Sequence, residues 1–213
     1  MAHYYTRRRE NLVDLAFDPD PLSASGTDGW RIKHASNWDG TFSQLVDIPY
    51  WGKRDKNVLN SYNPSNIQDR YVRYIFDPVT HGLEDDTVHF LRITSLDDTT
   101  EQNTSRTLII PTPSQVTTER PPLVLRGDAP VAADFDDGER LVLPVTAVSF
   151  TVENFGTDDI FLGFGSEGSE LRVAGGEKQS DNRLQIDEVN LRTGSGTASE
   201  VQLYLVLAQG PSI

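Results

Sequence analysis

VTAVSFTVENFGTDDIFLGFGSEGSELRVAGGEK, residues 145–178, holds three strand-like runs separated by two polar turns. From Ala147 to Val152 the residues alternate, with Val148, Phe150 and Val152 on one face and Ser149 and Thr151 on the other. Ile160 to Phe164 is a short apolar run, and Leu171 and Val173 frame a third. Between them lie Asn154-Phe-Gly-Thr-Asp-Asp and Gly165-Ser-Glu-Gly-Ser. Period-two apolar spacing bounded by Gly, Asn, Asp and Ser predicts a short-stranded antiparallel sheet. The stretch carries no catalytic signature. It reads as a scaffold with polar turns, which suits binding or assembly.

The same pattern extends on both sides. Leu123 to Leu125, Arg140 to Leu143, Arg183 to Ile186, Val189 to Arg192 and Val201 to Leu207 each read as strands, with turn signals between them. That is the pattern of an antiparallel β-sandwich or jelly roll over residues 123–213, with Val201 to Leu207 as its central strand. No helix is expected in this half. Upstream, Pro111-Thr-Pro, a polar stretch and Pro121-Pro122 read as an extended linker, residues 111–122. Residues 23–110 form the expected N-terminal β domain. Its strands are Thr41 to Ile48, Arg70 to Phe76, Thr87 to Thr94 and Arg106 to Ile110, the second and third joined as a hairpin with a long loop. Residues 1–22 read as an extended N-terminal arm, with a short helix allowed from Glu10 to Phe17 before Pro19 and Pro21 stop it. The expected class is all-β, two β domains behind an arm.

Composition narrows the function. The 213 residues carry a formal net charge of −13. Residues 123–213 hold 6 Lys+Arg against 15 Asp+Glu, and residues 1–122 hold 13 against 17. The acidic balance argues against broad nucleic-acid binding, which needs clustered Lys and Arg. No apolar run is long enough to span a bilayer, and no signal peptide is expected. With 0 Cys there are no disulfides, thiolate ligands or Cys nucleophiles. The less acidic, more aromatic first half suits an interface.

Several residue groups suggest chemistry, each with an ordinary reading beside it. Arg126-Gly127-Asp128 matches an integrin-binding tripeptide if it sits at an exposed turn; three-residue matches are common by chance. Asp134-Phe-Asp136-Asp137-Gly-Glu139 offers carboxylates for Ca²⁺, but the spacing departs from an EF-hand loop, and a solvated turn is the better reading. His3, His34, His81 and His89 show no metal-ligand spacing, and His89 reads as a packed or rim residue. Gly163-Phe-Gly-Ser-Glu-Gly168 fits a dinucleotide fingerprint only superficially, because it opens no helix. No pair of carboxylates stands out for glycoside hydrolysis. No catalytic residue, metal ligand or cofactor is expected. Partner contacts are expected from Tyr4, Tyr5, Arg7, Arg8, Arg9, Leu12, Leu15 and Phe17 on the arm, and from Trp38 and Trp51 in the aromatic patch. Core packing is the ordinary reading for at least two of Trp30, Trp38 and Trp51.

Ser149-Phe-Thr-Val-Glu-Asn154, Asp159-Ile-Phe-Leu-Gly-Phe-Gly165, Gly175-Gly-Glu177, Val189-Asn-Leu-Arg-Thr-Gly-Ser-Gly-Thr-Ala198 and the closing apolar strand together resemble small β-sandwich modules of tailed-bacteriophage virion proteins. The resemblance covers the last third to half of the chain and is one of turns and apolar spacing. Among such proteins the chain looks most like a head decoration (cement) protein. That implies a non-enzymatic virion component on the capsid surface, a homotrimer that bridges subunits of the major capsid protein. The alternative is a tail, fibre or baseplate component whose sandwich binds a glycan or receptor, with Trp38 as the sugar-facing aromatic. A third expectation is a Ca²⁺-dependent carbohydrate enzyme or adhesin using Asp134, Asp136 and Asp137.

Overall fold

In a computed structural model the alternating runs become antiparallel strands, and among the described residues no α-helix forms. The structure describes residues 4–9, 12–17, 29–49, 72–84, 87–98, 106–110, 122–135, 137–164, 170–182, 185–194 and 196–208. The chain is all-β and divides into two compact units. The first takes Met1–Ser36 and Thr41–Pro113; the second takes Ser114–Ile213 together with Asn37–Gly40. The proposed linker, residues 111–122, lies outside the described residues except for Pro122.

The first unit opens with β1 (Tyr4–Arg9) and β2 (Leu12–Phe17), an antiparallel hairpin that pairs Tyr4 with Phe17 and Arg9 with Leu12. β2 also pairs with β5 (Val72–Phe76). The residues expected to form a free arm are therefore a paired part of the unit. The helix allowed from Glu10 to Phe17 is replaced by a strand. The reason is in the side chains: Val13, Leu15, Ala16 and Phe17 are buried, and a strand buried on both faces reads as a continuous apolar run. A second group of strands joins β3 (Gly29–Ala35), β4 (Ser43–Pro49), β6 (His89–Ser95) and β7 (Thr107–Ile110) in the order β7-β6-β3-β4. The expected β5–β6 hairpin does not form, because β5 pairs with β2 while β6 pairs with β3 and β7. A 3₁₀ turn at Val79–His81, closed by Gly82 at φ 74°, diverts the chain after β5. Trp30 is buried, edge-on to Phe17 with ring centroids 5.7 Å apart.

The second unit is sandwich-like and built around β9 (Glu139–Asn154), 16 residues in which the two expected strands Arg140–Leu143 and Ala147–Val152 are one. Its first part pairs with β13 (Ile186–Thr193), which pairs in turn with β10 (Ile160–Phe164), and β10 with β11 (Glu170–Val173). Its last part pairs with β14 (Ser199–Leu207) and with β12 (Lys178–Asp181); β14 also pairs with β8 (Leu123–Ala129). Between these parts, four residues of β9 from Leu143 to Thr146 oppose the single residue Asp187 of β13. Pro144 lies in that bulge, where its missing N–H interrupts no ladder bond. A second irregularity against β14, at Val206/Leu207, turns Val148 outward. Val148 is exposed while Phe150 and Val152 are buried, so it does not share their face as the bare alternation predicts. β12 is a further strand; of the run expected at Arg183 to Ile186, Arg183 and Leu184 lie outside the described residues and Ile186 opens β13. β14 is central as expected, with Val201, Leu203, Leu205 and Leu207 turned inward. Phe150 meets Phe164 across the core at 4.7 Å.

Candidate interaction surface

The turns behind the virion-module resemblance meet at Asn154, which is 1% exposed. Its Nδ2 donates to the carbonyls of Asp158 (2.8 Å) and Val173 (3.1 Å). Its Oδ1 accepts from the Gly156 N–H (3.0 Å) and the Ser199 hydroxyl (2.9 Å). Its backbone N–H donates to Glu177 O and its carbonyl accepts from Gly176 N–H. Every polar group of the residue is thus engaged: its side chain joins the turn after β9, the end of β11 and the start of β14, and its backbone holds the Gly175-Gly-Glu turn. Space is tight around it. A Cβ at Gly156 would strike the Ser199 hydroxyl, and one at Gly175 would strike the Thr157 carbonyl. Asp158 completes the cluster by accepting from the Thr197 N–H (2.9 Å) and hydroxyl (3.0 Å), and those bonds lower its pKa. Because its folded pKa is depressed, its contribution holds above the ordinary carboxylate range and fades as pH falls through the lowered one. These motif residues hold the turns together.

Trp38 is fully buried, not an exposed platform. Within the second unit its indole N–H donates to the Asp128 carbonyl at 3.0 Å, and Asp39 Oδ2 accepts from the Asp128 N–H at 2.8 Å. Those are the two bonds a neighbouring strand would make with Asp128. The indole lies where a Cβ on Gly127 would sit 2.7 Å from Trp38 Cε2. The sugar-facing role expected for Trp38 is therefore overturned by burial. The Arg126-Gly127-Asp128 tripeptide is strand, not turn: all three residues pair with β14, Gly127 is covered by Trp38, and Arg126 bonds Glu200 at 2.6 Å.

The other expected contact residues separate. Leu12 is 45% exposed, but Leu15 and Phe17 are fully buried in the first unit and offer nothing to a partner. Tyr4, Tyr5, Arg7, Arg8 and Arg9 lie in β1, whose backbone alone is described, and Trp51 lies outside the described residues. Removing residues 1–20 deletes β2 and the buried Val13, Leu15 and Phe17. Full burial of each such side chain contributes about 1.5–3 kcal/mol. The truncated chain is expected to lose the first unit's fold, read as collapse of β5 and β6 amide protection in hydrogen exchange. Protection at the full-length level would show that the hairpin is dispensable.

The acidic turn is closed on itself, with the Asp137 N–H donating to Asp134 Oδ1 at 3.2 Å; Asp136 lies outside the described residues. Phe135 lies against Gly163, and the Arg192 guanidinium sits 5.0 Å from the Phe135 ring and 4.5 Å from that of Phe161. Among the described residues no group of three or more His, Asp or Glu is placed to hold a metal ion. His34 and His89, 55 residues apart, do meet, with Nε2 and Nδ1 at 2.8 Å.

The surface that sequence reading missed is the outward face of β8, β14, β9 and β12. Val124 stands opposite Tyr204 on β14, Tyr204 opposite Thr151 on β9, and Thr151 opposite Ser180 on β12. Val206, one pleat along from Tyr204, is 46% exposed and Val124 is 39% exposed. Charged residues flank them: Arg126 pairs with Glu200, and Lys178 with Glu153 at 3.3 Å while lying 5.4 Å from the Tyr204 ring centroid. Both pairs are exposed, so solvent screens them strongly. The signal was present in Val201-Gln-Leu-Tyr-Leu-Val-Leu207, whose outward positions carry Tyr and Val. No family model matches the sequence, and no curated protein matches it.

Proposed function

We propose that this chain is a non-enzymatic structural protein of a tailed-phage virion, a head decoration protein that bridges subunits of the major capsid protein through the outward face of β8 and β14. The observation that carries the reading is this face, where Val124, Tyr204 and Val206 adjoin on neighbouring strands with paired charges at their rim. An apolar centre inside a polar rim is the composition of a protein interface. The face is carried by the unit whose turns resemble those of virion modules in sequence, and those turns gather at Asn154. An exposed N-terminal arm is no longer part of the mechanism, since β1 and β2 are paired within the first unit.

The test uses the full chain and phage heads assembled without it. Co-sedimentation is expected to saturate for the wild type. The double variant Val124→Glu, Val206→Glu is expected to bind at least tenfold more weakly with unchanged thermal stability, because both side chains are already exposed. Failure of the wild type to bind heads would overturn the virion reading. Equal binding by the double variant would overturn the assignment of the face. Light scattering at two concentrations reads self-association, for which a trimer is the expected result.

A further inference from the structure

We propose that His34 and His89 form an acid-sensitive latch that holds β3 against β6 and fixes the turn leading into β6. The two rings lie 4.8 Å apart with an interplanar angle of 60°, joined by the 2.8 Å contact between His34 Nε2 and His89 Nδ1. His89 is 4% exposed. Its Nε2 is 2.7 Å from the Glu84 carbonyl and 3.0 Å from the Thr87 hydroxyl. A carbonyl can only accept, so Nε2 carries the hydrogen and Nδ1 of neutral His89 is the acceptor. His34 Nε2–H is then the donor. The chain of bonds runs from β3 through both rings to the turn at Glu84.

This arrangement has a limited capacity for protons. One added proton is accommodated on His34 Nδ1, with Nε2–H still donating to His89 Nδ1. A second leaves two N–H groups facing each other across 2.8 Å and two cations side by side. Nothing titratable is positioned to relieve them among the described residues around the pair. Register places Ser43 of β4, Leu91 of β6 and Ile110 of β7 beside the rings. Glu84 touches the pair through its carbonyl, with its side chain exposed, and Asp85 and Asp86 lie outside the described residues. Burial first, and His89 second, lower the His34 pKa from 6.5 to about 4. The unfolded chain therefore binds more protons than the folded one between those values. Stability is complete above pH 6.5 and falls as pH drops toward 4. His34 is only partly buried. After discounting for solvent, the expected rise in the unfolding constant across that window is about tenfold to a hundredfold.

The test is an NMR titration of the imidazole C–H signals in the full chain, alongside urea unfolding at pH 7.5 and pH 4.5 for the wild type and His34→Gln. Gln keeps an N–H donor for His89 Nδ1 and does not titrate in this range. The His34 titration is expected to be displaced well below 6.5, with His34→Gln losing at least tenfold less in its folding constant on acidification than the wild type. Titration of His34 near 6.5 would overturn the proposal, as would equal acid sensitivity of the two proteins. If His34→Gln fails to fold at pH 7.5, the wild-type titration decides alone.

Discussion

Replacing Asn154 by alanine is expected to destabilise the second unit by about 3–5 kcal/mol. The change removes four side-chain hydrogen bonds at once. It takes the side-chain partner from the Val173 carbonyl and the Gly156 N–H, and leaves the Ser199 hydroxyl and the Asp158 carbonyl only their 3.4 Å bond to each other. Losing one partner of a buried bond costs more than the bond's own net worth, because the group left behind is also cut off from water. Asn154→Asp separates hydrogen bonding from shape. It keeps the acceptors for Gly156 and Ser199 but turns a carboxylate oxygen toward two carbonyls. It is expected to be at least as damaging as alanine at pH 7 and to recover part of the loss near pH 4, where the protonated acid can donate once. The measurement is the urea midpoint with hydrogen exchange on β14. A loss below about 1 kcal/mol would mean that the turns at Asp158 and Ser199 close without the Asn154 side chain.

Trp38→Ala is expected to cost about 3–5 kcal/mol, as for other large, fully buried aromatics. Two contributions combine. The indole volume against Gly127 is emptied, and the Asp128 carbonyl loses its donor. Asp39→Ala, which removes only the acceptor for the Asp128 N–H, is expected to cost about 1 kcal/mol. The double replacement has a second consequence. In the pairings of the described strands, β8 has β14 on one side, and Trp38 and Asp39 occupy the bonding positions of Asp128 on the other. Freeing an edge strand's N–H and carbonyl groups invites pairing with other chains. Light scattering is expected to show concentration-dependent mass growth for Trp38→Ala, Asp39→Ala that the wild type lacks. A stable, monodisperse double variant would refute the edge-covering role. Gly127→Val provides an independent check, since its side chain must displace the same indole.

The strands were legible because period-two alternation is a local property. Ile160–Phe164 coincides with its apolar run, and β14 contains its expected span. The misreadings share one cause. Arg140–Leu143 and Ala147–Val152 read as two strands because the bulge that carries β9 through Pro144 depends on β13, more than 40 residues away in sequence. Leu12 to Phe17 looked like an arm because its apolar residues show no partner until β5 is paired beside them. Trp38 looked like a platform because an Asn-Trp-Asp-Gly turn is polar in sequence; its burial requires Gly127, 89 positions on. His34 and His89 carry no ligand spacing, and only the β3–β6 register brings them together.

Sequence alone determined the all-β class, the turn positions and the acidity of the second half, since each follows from neighbouring residues and from composition. Tertiary structure decided which apolar residues are core and which are surface. Val124, Tyr204 and Val206 differ from Leu125, Leu203 and Leu205 only in the face they present, and that face is set by pairing across strands distant in sequence.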